Sequence, residues 1–146
     1  MIAGIRKLLQ FRLFTRKQAT NMPLAIVGWW ELRRIPYNLI VGACGIFTSV
    51  ITVIVAAIAS EHFNEPLGLP DPPAIAFFAV LFYGAMANIC YTGGWITEIS
   101  VRAFWREQAG EFGQIAFALG LLFSILLTLA PAALFSFLLI LRLLLE

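Results

Sequence analysis

Two groups of polar residues hold most of the chemistry this chain can offer. Glu31, Arg33, Arg34, Tyr37 and Asn38 form the first, and Asn88, Tyr91, Thr92, Glu98, Arg102 and Arg106 the second. Guanidinium groups present forked N–H donors that match carboxylate and phosphate oxygens. An arginine pair beside carboxylates could therefore bind a lipid headgroup or dock a soluble partner at this face. The simpler account is interfacial anchoring plus surface ion pairs, each worth about 0–1 kcal/mol. Glu98 and Arg102 stand four residues apart, the spacing of a helical ion pair. His62 lies near Glu61, Asn64 and Glu65, a set too sparse to define a metal site, and a solvated loop histidine is the plainer reading. Serine and threonine occur in apolar surroundings with no base beside them. No catalytic, metal or cofactor residue is assigned, and the chain reads as non-enzymatic.

These groups are separated by three runs without any charged residue: Ile35 to Ser60, Pro72 to Thr97 and Phe112 to Leu141. Each is long enough to cross a bilayer as a helix, for which about 20 apolar residues suffice. The composition agrees: 61% hydrophobic and 12% charged, against about a quarter charged in a typical soluble domain. The expectation is an all-α integral membrane protein with three transmembrane helices, near 36–60, 72–97 and 113–141, in a domain covering 35–146. A basic, partly amphipathic interfacial segment, 1–34, precedes it. The first run exceeds a signal peptide's apolar region and reads as a retained anchor.

Charge placement sets the expected orientation. Arg6, Lys7, Arg12, Arg16, Lys17, Arg33 and Arg34 precede the first run, the segment Glu61 to Asp71 has no Lys or Arg, Arg102 and Arg106 follow the second run, and Arg142 follows the third. Positive residues stay on the cytoplasmic side. The N-terminus is thus expected inside and the C-terminus outside, in a bacterial-type inner membrane. Trp29, Trp30, Trp95 and Trp105 fall near the same face, where tryptophan favours the headgroup layer.

Local punctuation refines the elements. Pro36 suits the first turn of a helix, which places the start of the first span there, with Pro23 to Trp30 as an interfacial stretch. Asp71 is the expected N-cap of the second helix. Gly93 and Gly94 are positions where that helix ends, bends or runs on to Glu98 and Arg102. Cys44 and Cys90 fall at similar depth and read as small apolar side chains.

Small residues supply the packing signal. Gly42, Gly45, Ser49, Thr52, Ala56 and Ala59 follow a 3-4-3-4-3 rhythm in the first run, while Ala116, Gly120, Ser124, Thr128, Ala132 and Ser136 recur every fourth residue in the third. Such rows allow close backbone approach in lipid. A heptad rhythm favours a left-handed seam and a four-residue row a right-handed crossing, so the two faces call for different partners or a bend, which Pro131 can supply. The function expected is a non-catalytic membrane subunit or accessory protein packing against other transmembrane helices. The alternatives are a homo-oligomeric pore, transporter or membrane-acting effector with Ser124, Thr128 and Ser136 along a polar path, and a lipid-headgroup-binding protein using Arg33, Arg34 and Arg102. The partners expected are membrane lipids and other membrane subunits or a second copy, not nucleic acid.

Overall fold

A computed structural model of the protein describes residues 22–63, 73–105 and 110–145, all but a few of which are helical. Helix α1 spans Pro23–Phe63, α2 Pro73–Trp105 and α3 Phe112–Leu145. All three are long and apolar enough to cross a membrane. The basic leader before residue 22, Asp71 with its capping role, and Arg106 lie outside the described residues.

The first helix differs from the sequence expectation. It starts at Pro23 rather than near Pro36, and Pro36 sits inside it. Proline at the first helical position suits that start, because its missing N–H is one no helix start satisfies internally. The Met22 carbonyl accepts from the Ala25 and Ile26 amides there. An interior proline costs a helix about 3 kcal/mol. Continuation through Pro36 is sustained by packing, since Ile26, Trp29 and Trp30 are all buried. In α2 the helix likewise runs unbroken through Gly93 and Gly94 to Trp105.

Contacts divide the chain into two compact units. Among the described residues, unit 1 takes 22–38, 86–105 and 110–123, and unit 2 takes 39–63, 73–85 and 124–145. Each helix contributes one part to each unit.

Unit 1 is built on aromatic rings. Trp29, Trp30, Tyr37, Tyr91 and Phe117 are buried. Trp30 meets Tyr91 at 5.3 Å and Phe117 at 5.7 Å between ring centroids, edge to face, the geometry that ring quadrupoles favour. Trp29 and Trp30, expected as headgroup anchors, are therefore core residues, because α3 supplies Phe117 as a packing partner for both. Trp95 is half-buried and Trp105 exposed.

Unit 2 has a sparser core of Val55, Ala59 and Leu139, flanked by Ile51, Phe63 and Phe135. Hydroxyl groups join its helices. Thr48 Oγ1 donates to the Thr128 carbonyl at 2.8 Å, and the Tyr83 hydroxyl lies 2.7 Å from Thr128 Oγ1. Thr128 Oγ1 lies 2.6 Å from the Ser124 carbonyl of its own helix. Pro131, one turn on, has no N–H for the Leu127 carbonyl, so this stretch of α3 is where extra donors help most. Replacing Tyr83 by phenylalanine is expected to cost about 1 kcal/mol, one net hydrogen bond. A thermal midpoint in detergent that does not fall would show that the hydroxyl contributes nothing.

Candidate functional site

The densest polar arrangement lies inside unit 1, around Glu98. This carboxylate is 0% exposed and Arg102 only 4%. Trp30 Nε1–H donates to Glu98 Oε2 at 2.7 Å, and Arg102 Nε donates to Glu98 Oε1 at 2.7 Å. Arg102 Nη2 also reaches the Gly110 carbonyl at 3.2 Å. Two glycines make room for the group. A Cβ on Gly94 would stand 2.7 Å from Trp30 Cη2, and a Cβ on Gly113 would fall on the Glu98 carboxylate itself. The Tyr91 hydroxyl donates to the Trp30 carbonyl. Side chains from α1 and α2 and a backbone position on α3 thus close on one carboxylate. Both Glu98 oxygens accept from strong donors, so the arrangement acts as a clamp between helices.

A second polar group lies at the unit 1 surface, along the seam of α1 and α2. Arg34 Nη2 donates to Glu31 Oε1 at 2.8 Å and to Thr92 Oγ1 at 3.0 Å. One helical turn on, Asn38 and Asn88 exchange amide hydrogen bonds of 3.3 and 3.1 Å. Arg33 stacks on the Trp29 ring at 4.0 Å and donates to the Trp29 carbonyl at 3.1 Å. Arg34 lies 5.2 Å from the Tyr91 ring centre. Its Nε–H and that of Trp95 Nε1 are buried without an acceptor among the described residues.

Known proteins add no further guide. Comparison with protein families, curated proteins and solved structures returned no match.

The residues expected at the cytoplasmic face divide in two. Glu31, Arg33, Arg34 and Asn38 are exposed or half-exposed, whereas Glu98 and Arg102 are enclosed. Arg102 is therefore not available to a lipid headgroup or a docking protein, because its guanidinium is held by Glu98 and the Gly110 carbonyl. The i,i+4 spacing was visible in the sequence. The enclosure was not, since it depends on Trp30 arriving from 68 residues away. The signal that points to it is a glycine on each side, at Gly94 and Gly113, of helices that also carry a Glu–Arg pair.

The small-residue rows are also divided. In the α1 row Gly42 and Ser49 are exposed, Gly45, Thr52 and Ala56 half-buried, and Ala59 buried. The buried line on α1 in unit 2 runs one position aside, through Val41, Thr48 and Val55. In the α3 row Thr128 and Ala132 are buried, Ala116, Ser124 and Ser136 half-buried, and Gly120 exposed. Cys44 is half-buried and Cys90 exposed, and both thiols are free. His62 belongs to the last turn of α1 rather than a loop, with its ring 5.0 Å from that of Phe63. No group of three His, Cys, Asp or Glu side chains suited to a metal occurs among the described residues.

Proposed function

We propose that this chain is a multi-pass inner-membrane protein, N-terminus cytoplasmic and C-terminus outside, that serves as a non-catalytic accessory subunit. Its helices pack against transmembrane helices of another subunit or of a second copy. The supporting observation is that the rows of small residues are not used up within the chain. A methyl group placed on Gly42 or on Gly120 would meet no atom within 4 Å, although close approach is what such residues permit. The apolar window of α2 is only 6% buried, so most of that helix is likewise left for lipid or for another protein. Thr128, which a polar path would need, is enclosed and bonded to Tyr83, so the pore reading gains no support.

Gly42→Leu and Gly120→Leu test this reading. Both variants are expected to keep the wild-type thermal midpoint, because among the described residues no atom stands within 4 Å of the first added carbon at either position. They are expected to weaken association by about tenfold or more, since overpacking a close contact costs about 1–3 kcal/mol. Co-purification in mild detergent measures the second effect. A wild-type chain recovered only as a monomer without a membrane partner would overturn the proposal, as would variants that retain the partner fully.

A further inference from the structure

We propose that the exposed α1–α2 seam of unit 1 binds the phosphodiester headgroup of an anionic lipid, with Arg34 as the principal contact. This rests on the membrane reading above. Three observations carry it. First, Arg34 is held in place before any ligand arrives, by Thr92 at 3.0 Å and by the Tyr91 ring at 5.2 Å. A guanidinium has five N–H donors, so it can keep those contacts and still meet an anion. Second, Arg33 adds a second positive charge next in sequence, stacked on Trp29 at 4.0 Å, so the local balance of Arg33, Arg34 and Glu31 is one net positive charge. The amide pair Asn38–Asn88 follows one turn along as neutral hydrogen-bonding groups. Third, the same unit exposes Ile35, Met86 and Ile89. Apolar surface of this kind in the unit that carries the guanidinium suits an amphiphile better than a free anion.

Glu31 is the competitor for this site. Its carboxylate occupies Arg34 Nη2 at 2.8 Å in a pair that is partly open to solvent. A lipid phosphate arriving at Arg34 displaces Glu31 or is repelled by it. The proposal therefore makes opposite predictions for the two partners of one ion pair, which a purely structural role would not.

The full-length protein, purified in detergent and stripped of lipid, is titrated with phosphatidylglycerol or phosphatidylcholine, and retention is read by native mass spectrometry. The wild type is expected to retain phosphatidylglycerol in preference. Arg34→Gln is expected to reduce that retention about fivefold, the size of one basic residue at an anionic surface. Arg34→Lys, which keeps the charge and loses the fork, falls between. Glu31→Gln is expected to raise retention, and this gain does not depend on how well the arginine variants fold. Equal retention of the two lipids, no loss in Arg34→Gln, or no gain in Glu31→Gln would each overturn the proposal. Competition by millimolar inorganic phosphate would move the site to a free anion and overturn the lipid assignment. The membrane reading fails separately, if alkaline carbonate releases the protein from membranes.

Discussion

Replacing Arg102 by methionine is expected to destabilise the protein by about 3–5 kcal/mol, the cost of leaving one member of a buried ion pair alone. Glu98 would keep the Trp30 indole, 2.7 Å away, but lose the guanidinium four residues on, in a place with no exposure to solvent. A charge left unpaired in that position is stripped of compensating contacts or draws water into the aromatic core of unit 1, and both outcomes cost stability. Changing Glu98 to glutamine as well is expected to recover much of the loss, because the amide oxygen still accepts from Trp30 and no charge remains. The pair thus behaves as a specifying element: removing half of it is costly, and removing all of it is tolerable. Unfolding in detergent of both single variants and the double variant measures this directly. A single variant within about 1 kcal/mol of wild type would refute it, since that is the range of exposed pairs, and so would a double variant no better than Arg102→Met. The Glu31–Arg34 pair of the same unit is the internal control. Its side chains are 43% and 30% exposed, so Glu31→Gln is expected to shift stability by less than about 1 kcal/mol.

The three apolar helices were legible because lipid-compatible length is written in the sequence itself, as uninterrupted runs free of charge. What escaped was set by contacts between residues far apart in the chain. Pro36 reads locally as a helix start, and only the burial of Ile26, Trp29 and Trp30 against α2 and α3 carries the helix back to Pro23. Two adjacent tryptophans beside basic residues read as a headgroup belt, and only Phe117 and Tyr91 turn them inward. In the candidate site, the spacing of Glu98 and Arg102 announced the pair, and its location inside the unit was hidden because burial has no local signature in an amphipathic end segment. The α1 row is used only in part within the chain. Small residues mark where backbones are able to approach, not where they do, and the enclosed line fell on Val41, Thr48 and Val55 beside it.

That distinction gives glycine substitutions opposite expected signs at four positions. Alanine in place of glycine within a helix gains about 1 kcal/mol from backbone entropy when space is open. Gly42 and Gly120 have that space, so Gly42→Ala and Gly120→Ala are expected to leave the isolated chain as stable as wild type or slightly more so. Gly94 does not. Its added methyl would press on Trp30 Cη2 and Cζ3 at 2.7 and 2.8 Å. Trp30 cannot swing aside, because it is 2% exposed and tied to Glu98 through its indole N–H. Gly113 is tighter still, since the methyl takes the place of the Glu98 carboxylate. Its position in the first turn of α3 also offers little helix propensity in return. Overpacking costs about 1–3 kcal/mol and occasionally more. With Trp30 pinned, Gly94→Ala falls at the upper end of that range and is expected to cost about 2 kcal/mol once its propensity gain of about 1 kcal/mol is subtracted, and Gly113→Ala about 3 kcal/mol, because it also disturbs the ion pair. A further link follows: in Glu98→Ala, which empties the space the methyl would enter, the added cost of Gly113→Ala should largely vanish. Thermal unfolding of the Gly113→Ala and Glu98→Ala variants, alone and combined, reads that coupling. Additive losses would mean that Gly113 is needed for some other reason than the carboxylate it faces.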